Sequence, residues 1–136
     1  MTIIVCVDEE MGMAFGSRRV SRDRVLTARI LEMTKDAGLF MSPYSAPLFE
    51  GAENVTVSEG FTGDAGEGDF CFFETSDPAP FCSEAERIVI YKWNRRYPSD
   101  VKFTFSPEEN GFCLKNASDF AGHSHENITE EIWERV

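Results

Sequence analysis

The chain has 136 residues, of which 42% are hydrophobic, and this is enough for one domain with a buried core. Its net charge of −11 argues against binding to nucleic acid or to an anionic membrane, because phosphate contacts need a positive field. No apolar run approaches the roughly 20 residues of a membrane span, and no secretion signal precedes the first strand. We therefore expect a single domain over residues 1–136, in the cytoplasm of a bacterial-type cell.

The first half of the chain predicts a strand, a helix and then short strands. Residues 2–7 (TIIVCV) are continuously apolar, as in a central strand that is covered on both faces. Apolar side chains then recur with helical spacing at positions 26, 30, 33 and 37. They predict a helix from Arg22 to Ala37, with Ser21 as its N-cap and Gly38 just beyond its end. Short strands at 39–41, 54–59 and 70–73 follow. Between them lie a proline-containing segment at 43–50, which allows one or two helical turns but no long helix, and a Gly-rich acidic loop at 60–69.

The second half of the chain is predicted to be mostly β-structure. Strand patterns occupy residues 87–93 and 101–105, and another begins at Phe112, whereas residues 75–82 contain two prolines and predict a loop. The tail from residue 127 fits either a helix that starts with a capping box or an alternating edge strand. Six to eight strands with one long helix predict a mixed α/β domain.

The order of these elements resembles the dihydrofolate reductase fold across nearly the whole chain. The segment IIVCVDEEMGMAF resembles that family's first strand and the loop after it, and the predicted helix lies where the family has its substrate-side helix. LFMSPYSAPLFEGAENVTVSE resembles the next strand, short helix and third strand. The resemblance places ENITEEIWER in a closing hairpin, which favours a strand for the tail. It also implies that Asp23 corresponds to the carboxylate that hydrogen-bonds the pterin, although an alignment through Leu26 puts Val25 there instead.

The departures from this family lie on the side that binds the nicotinamide dinucleotide. The family holds the phosphates with backbone N–H groups of a Gly-Arg-Lys/His-Thr segment and of a Gly-Gly turn. Here those positions are Ser42-Pro43-Tyr44-Ser45 and Glu74-Thr75, so that a proline removes a donor and a carboxylate repels phosphate. The resemblance therefore implies a reductase-like domain without reductase activity and without a cofactor.

A looser resemblance leads to short bacterial proteins that carry the label ribonuclease Z by automatic transfer. Such a hydrolase builds a two-metal site from His-x-His-x-Asp-His and further ligands, whereas this chain has two histidines in total. His123 and His125 lack a third histidine, so we predict a solvated loop there, no metal site, and a metal-dependent nuclease as the least favoured function. Ser124 lies between the two histidines, where sequence neighbours do not form a triad, and no catalytic triad is predicted.

An arginine cluster is the most specific chemical feature of the sequence. Five of the thirteen Lys and Arg residues lie close together, at Arg18, Arg19, Arg22, Arg24 and Arg29. At the start of a helix, such guanidinium groups can clamp a phosphate or a carboxylate. The alternative is that they pair with some of the chain's 24 acidic residues. We favour Arg22 and Arg24 for ligand contact, since both are predicted to lie in the first helical turn.

Tyr91 and Trp93 share one face of a predicted strand, next to two further arginines, and this predicts an exposed face that meets a partner. The leading hypothesis is that the surface of residues 12–29 binds a small anionic ligand or a protein partner. One alternative is an NADPH-dependent reductase that holds its nucleotide through the arginine cluster. Another is a homo-oligomer whose arginine-rich surface meets acidic residues of a second copy.

Overall fold

A computed structural model of the chain describes residues 1–136 and contains ten strands in two sheets. Seven strands form the larger sheet, namely β1 (Thr2–Val7), β4 (Leu39–Met41), β5 (Val55–Val57), β6 (Phe70–Phe73), β7 (Arg87–Lys92), β9 (Phe112–Phe120) and β10 (Ile128–Arg135). Their spatial order is β5-β4-β6-β1-β7-β10-β9. The smaller sheet has the order β3-β2-β8 and consists of β2 (Gly12–Phe15), β3 (Arg18–Arg19) and β8 (Val101–Lys102).

The first five strands of the larger sheet run parallel to one another, and β10 runs antiparallel to both of its neighbours, β7 and β9. β1 pairs in parallel with β6 and β7, and β4 pairs in parallel with β5 and β6. β10 pairs antiparallel with β7 and with β9, so the tail is a strand, as the resemblance implied. The prediction of a mixed, mostly β sheet is confirmed.

The long helix is α1 (Arg24–Thr34), and two single-turn helices follow it, α2 (Phe61–Asp64) and α3 (Ala79–Cys82). Short 3₁₀ helices lie at Ala46–Phe49 and Glu108–Asn110. None of the helices has the length and apolar character needed to cross a bilayer. The loop predicted over residues 60–69 contains α2, because Phe61 is buried under the sheet and holds a helical turn there.

Alternate residues of the central strands feed two hydrophobic clusters on opposite faces of the larger sheet. Ile3 and Val5 pack into one cluster, and Ile4 packs into the other, against Leu26 and Ile30 of α1. This alternation is the period of a strand that is buried on both faces, which the apolar run of β1 predicted. The short strands β2 and β3 were not predicted from the sequence. They have four and two residues, and β2 pairs with β3 and with β8, which is distant in the chain.

The parallel strands bring several polar residues together at their carboxyl ends. Asp8 follows β1, Glu74 follows β6, and Trp93 follows β7. The loop of residues 121–127, which connects β9 to β10, reaches the same edge of the sheet. Ligand sites of parallel sheets lie at this edge, and a functional site is therefore expected there.

Candidate functional site

The start of α1 is capped by Asp23. Its carboxylate accepts hydrogen bonds from the backbone N–H groups of Val25 (2.9 Å) and Leu26 (3.4 Å). The predicted helix start at Arg22 and the predicted cap at Ser21 are therefore wrong. A carboxylate accepts more strongly than a hydroxyl and also offsets the positive end of the helix dipole, so Asp23 takes the cap. The Ser21 hydroxyl is left for another partner.

Asp23 also ties α1 to the loop between β9 and β10. Its carboxylate accepts from the backbone N–H groups of His123 (2.9 Å) and Ser124 (2.8 Å), from the Ser124 hydroxyl (3.3 Å) and from Nδ1 of His125 (2.9 Å). Burial raises the pKa of this carboxyl, but the hydrogen bonds outweigh it and hold the pKa well below its usual range. With donors in both the helix and the loop, the carboxylate has no position left for a ligand. The prediction that Asp23 hydrogen-bonds a ligand directly is wrong.

His125 extends this arrangement to Ser21. Because the ionised Asp23 can only accept, Nδ1 of His125 carries the hydrogen, and in the neutral ring Nε2 is then the nitrogen with the lone pair. The Ser21 oxygen lies 2.9 Å from Nε2, where its hydroxyl donates to the ring. The Tyr97 hydroxyl lies 3.2 Å from the same nitrogen and 3.3 Å from the Ser21 oxygen. Ser21, His125 and Asp23 thus form one continuous hydrogen-bonded chain.

Two expectations about this segment are wrong. The loop of His123 and His125 was predicted to be solvated, yet His125 is 4% exposed, because it packs under the loop against Asp23 and Trp93. No serine, histidine and acid were predicted to meet, but Ser21 and His125 are neighbours in space despite a separation of 104 residues. The loop between β9 and β10 brings the two together.

Tyr91 and Trp93 do not form an exposed interface. Tyr91 has no exposed surface and Trp93 is 3% exposed. β7 lies between β1 and β10 in the sheet, and both of its faces are covered. The Trp93 ring stacks on the His125 ring, with centroids 4.6 Å apart and an angle of 27° between the planes. Trp93 therefore forms the wall behind His125.

Tyr91 belongs to a second buried network. Its hydroxyl donates to Glu130 at 2.8 Å, and Glu130 also accepts two hydrogen bonds from the Arg29 guanidinium (2.8 and 3.2 Å). Burial and the neighbouring carboxylate raise the pKa of Tyr91 well above its usual value. Arg29 is thereby engaged by an acid of β10, as the ion-pairing alternative predicted.

Arg19 is engaged in the same way at the end of β6. Its guanidinium binds both oxygens of Glu74, at 2.7 and 3.0 Å, and lies 4.4 Å from the centre of the Tyr44 ring. The Ser45 hydroxyl donates to Glu74 at 2.7 Å. The side chain of Glu74 is 7% exposed and that of Arg19 is 19% exposed. We call Arg19, Tyr44, Ser45 and Glu74 the Glu74 cluster.

The other three arginines of the sequence cluster have no carboxylate partner. Arg18, Arg22 and Arg24 are all exposed and take part in none of the ion pairs. Arg24 is the first residue of α1, and its Nη2 lies 2.8 Å from Nε2 of His123. Arg22 precedes the cap, so it lies outside the helix, contrary to the prediction that it belongs to the first turn. The arginine cluster thus divides into two paired and three unpaired side chains.

The unpaired arginines surround two adjoining clefts, which we call the Arg22 clefts because Arg22 lines both. The larger has a volume of about 600 Å³ and lies between α1 and the 3₁₀ helix of residues 46–49. Its lining includes Arg22, Arg24, Thr27, Ala28, Leu31, Pro47, Leu48 and His123. The smaller has a volume of about 470 Å³ and is lined by Arg18, Arg19, Ser21, Arg22 and Tyr44. The hydrogen-bonded chain of Asp23, His125 and Ser21 ends at the wall of the smaller cleft.

The histidines do not form a metal centre. Both ring nitrogens of His125 have hydrogen-bond partners, and Nε2 of His123 faces Arg24. No three side chains of His, Cys, Asp or Glu are placed to hold one metal ion. This geometry gives no support to a metal-dependent nuclease.

Comparison with solved structures shows that the chain has a dihydrofolate reductase-like fold. It is similar to the dihydrofolate reductase from Enterococcus faecalis complexed with NADP(H) and RAB-propyl, with a TM-score of 0.70. The likeness covers 98% of this chain and 95% of that chain, at 9% sequence identity. No protein-family model and no curated protein sequence matches the chain. The fold expected from the resemblance is confirmed, and at this identity the likeness concerns the fold alone.

Sequence reasoning missed Ser21, Tyr97 and the link between His125 and Asp23. One local signal was present, since Asp23 lies two residues before Val25 and three before Leu26, a spacing that suits a helix cap. Recognising Asp23 as the cap leaves Ser21 without a structural role. The contacts with Tyr97 and His125 depend on the sheet order, which no local pattern encodes.

Proposed function

We propose that this chain is a dihydrofolate reductase-like domain that binds a small anionic ligand in the Arg22 clefts and has no reductase activity. The observation that carries the proposal is the set of three unpaired arginines, Arg18, Arg22 and Arg24, around these clefts. These three guanidinium groups lie around the same pair of clefts, and none of them takes part in an ion pair. The three remain unpaired because no carboxylate is available at the clefts. Asp23 is the only acid in their lining, and its oxygens are all engaged.

The two clefts together suit a ligand with an apolar body and one anionic group. Ala28, Leu31 and Leu48 supply an apolar wall in the larger cleft, and Arg22 is the residue that lines both clefts. The planar guanidinium fork matches a carboxylate or a phosphate, and Arg22 is placed to serve both clefts. A small carboxylate or phosphate ester meets these requirements.

The residues of the Glu74 cluster do not fit the phosphates of a nicotinamide dinucleotide. Glu74 stands where the resemblance expects a Gly-Gly turn, and its carboxylate is held by Arg19 and Ser45. The neighbouring 3₁₀ helix has four residues, with Pro47 near its start, and therefore offers few free backbone donors. A phosphate at this place would have to displace the carboxylate from Arg19 or stand beside it. This conflict supports the absence of reductase activity.

The anion-binding proposal is tested by calorimetric titration with phenyl phosphate at low ionic strength. We expect saturable binding to the unmodified protein and at least about a fivefold weaker affinity for Arg22→Ala, as for the loss of one partly exposed charge pair. Arg96→Ala is the matched control, since Arg96 is exposed, pairs with Glu10 and lies outside both clefts. Equal loss in both variants would mean that only net charge matters, and the proposal would fail.

The reductase part is tested separately with NADPH. We expect no saturable binding in the micromolar range and no oxidation of NADPH in the presence of a pterin. Tight NADPH binding that is lost in Arg22→Ala would establish instead the alternative of a reductase that holds its nucleotide through the arginines. Light scattering at low and high salt in the same buffers shows whether a second copy covers these side chains.

A further inference from the structure

Ser21, His125 and Asp23 have the order and spacing of a nucleophile, a general base and the carboxylate that positions the base. The Ser21 oxygen lies 2.9 Å from Nε2 of His125, and Nδ1 of the same ring lies 2.9 Å from the Asp23 carboxylate. Both distances lie within the range at which a base accepts a proton and is held in one orientation. Nucleophilic triads are defined by this geometry and not by their order along the chain.

The structural duties of these residues do not account for the contact with Ser21. Asp23 alone caps α1, and it also accepts the hydrogen bonds that tie the loop to the helix, from His123, Ser124 and His125. Ser21 caps nothing and pairs with the one free nitrogen of a buried ring. Its side chain also lines the smaller of the Arg22 clefts, whereas His125 is 4% exposed. A molecule in that cleft therefore meets the serine first, with the base directly behind it.

Tyr97 completes the polar cluster around the serine and the histidine. Its hydroxyl lies 3.3 Å from the Ser21 oxygen and 3.2 Å from Nε2 of His125, whereas the Ser21 oxygen, at 2.9 Å, is the nearer partner of that nitrogen. Trp93 covers one face of the histidine ring and limits its rotation. These contacts hold both the nucleophile and the base in place before any ligand binds.

We infer that Ser21 is the nucleophile of an esterase site that hydrolyses small carboxylic esters bearing a negative charge. The charge preference rests on the proposed anion binding, and the serine chemistry rests on the triad geometry. As the Ser21 oxygen forms a bond to the acyl carbon, its proton passes to Nε2 of His125. The ester C–O bond then breaks, and the alcohol leaves with that proton. Water attacks the acyl-serine, gives one proton to His125 and releases the acid, and the proton returns to Ser21.

The clefts also supply positive charge where the reaction develops negative charge. The Arg18 and Arg22 side chains line the same cleft as Ser21. A tetrahedral oxyanion formed at Ser21 arises beside these guanidinium groups, which stabilise it electrostatically. Asp23 acts through the histidine as a positioning residue and does not touch the ester.

The test is covalent labelling with diisopropyl fluorophosphate, followed by peptide mass spectrometry. We expect labelling at Ser21, no labelling of Ser21→Ala at that peptide, and labelling slowed by about a hundredfold or more in His125→Gln, in line with the loss of a general base. Ser17→Ala is the matched control, because Ser17 is exposed in the same segment and does not contact His125. We expect this variant to be labelled at Ser21 at the original rate.

A second variant keeps the test decisive if His125→Gln does not fold. In Ser21→Cys we expect iodoacetamide at pH 7 to modify the new thiol faster than Cys113, since a neighbouring base favours the thiolate. The same protein is then titrated with phenyl phosphate. If the anion binds but neither Ser21 nor the new thiol reacts faster than its comparison residue, the esterase site is refuted and the anion-binding function stands.

The charge preference has its own measurement. Mono-4-nitrophenyl adipate carries a carboxylate, and 4-nitrophenyl hexanoate is its neutral counterpart of equal chain length. We expect Arg22→Ala to lower kcat/KM for the anionic ester about fivefold relative to the neutral one, as for one partly exposed ion pair. An unchanged ratio with active Ser21 would leave the serine chemistry and refute the preference for anionic esters.

Discussion

The Glu74 cluster and the Arg22 clefts lie side by side at one edge of the sheet, but their arginines differ in whether they have an acidic partner. In the Glu74 cluster, a nearly buried carboxylate takes both ends of the Arg19 guanidinium. At the clefts, Arg18 and Arg22 are exposed and have no acidic partner. The difference lies in the available acids, because Asp23, the one carboxylate at the clefts, is already bound to the helix and the loop. One half of the edge is therefore structural, and the other half is open to a ligand.

The largest expected effect on stability comes from removing the carboxylate of the Glu74 cluster. Glu74→Ala leaves the Arg19 guanidinium without its partner and should destabilise the protein by about 3 kcal/mol, as for a buried ion pair that loses one member. Urea denaturation measures this change as a shift of the midpoint at constant slope. Glu32→Ala is the control, since Glu32 is 74% exposed and pairs only with Lys35, and it should change stability by less than about 0.5 kcal/mol. Similar effects of both variants would show that the Glu74 cluster is not a stabilising unit.

The second largest effect on stability is expected at Asp23, the one carboxylate at the Arg22 clefts. Asp23→Asn weakens the cap and the bond to His125, and we expect a loss of about 2 kcal/mol at neutral pH, in the range for hydrogen bonds to a charged group. Thermal or urea unfolding at pH 7 measures it. A loss below that of Glu32→Ala would contradict the role of Asp23 as the link between α1 and the loop.

Asp23→Asn also tests how the stability of the protein depends on pH. The pKa of Asp23 is lowered in the folded protein, so its stabilising contribution is complete above the unfolded value of about 3.9 and is lost as the pH falls through the folded pKa. The pKa of Asp8 is also lowered, because hydrogen bonds from the backbone N–H groups of Tyr97, Gly12 and Glu10 outweigh its burial. We expect stability to fall below about pH 4, and to fall less steeply in Asp23→Asn. Parallel curves for the two proteins would assign the acid sensitivity to other groups.

A smaller effect is expected from the periphery of the Glu74 cluster. Ser45 is 1% exposed, and its hydroxyl donates to Glu74 at 2.7 Å. Ser45→Ala removes one hydrogen bond to a carboxylate that Arg19 still holds, and should cost about 1 kcal/mol. Denaturation of the single variant and of its combination with Glu74→Ala gives the coupling between the two residues. Strictly additive losses would show that the serine does not act through Glu74.

The smallest effect on stability is expected at the clefts themselves. Arg22→Ala removes an exposed side chain without an acidic partner, so the free energy of unfolding should change by less than about 0.5 kcal/mol. The melting temperature in low salt measures it, with Arg19→Ala as the contrasting variant. A large destabilisation by Arg22→Ala would place this arginine among the structural residues and remove the distinction between the two regions.

The sequence predicted those parts of the molecule that local patterns determine. The apolar run of β1 and the helical spacing of Leu26 and Ile30 need no distant partner, and both were predicted correctly. The helix start was misplaced by two residues, because Ser21 and Asp23 are both good caps and only the structure shows which side chain turns toward the helix. Tyr91 and Trp93 were predicted to be exposed because their neighbours are polar, while the sheet order buries them.

The candidate site was predicted only in part, for the same reason. The position of the arginines was evident from their density in the sequence. Their division into paired and unpaired side chains depends on Glu74 and Glu130, which approach from other strands. Ser21 and His125 are joined only through the β9–β10 hairpin, so their contact has no local signature.

The stacking of Trp93 on His125 gives this site an optical readout of its own. The chain has two tryptophans, and the indole N–H of Trp93 is buried without a hydrogen-bond partner, whereas that of Trp133 donates to Glu131. Because the Trp93 ring stacks on the His125 ring, a ligand that enters the cleft beside Ser21 and shifts His125 changes the surroundings of this indole. In a protein that carries Trp133→Phe, the fluorescence of the remaining tryptophan therefore reports on the position of the histidine, without a dye or an added label.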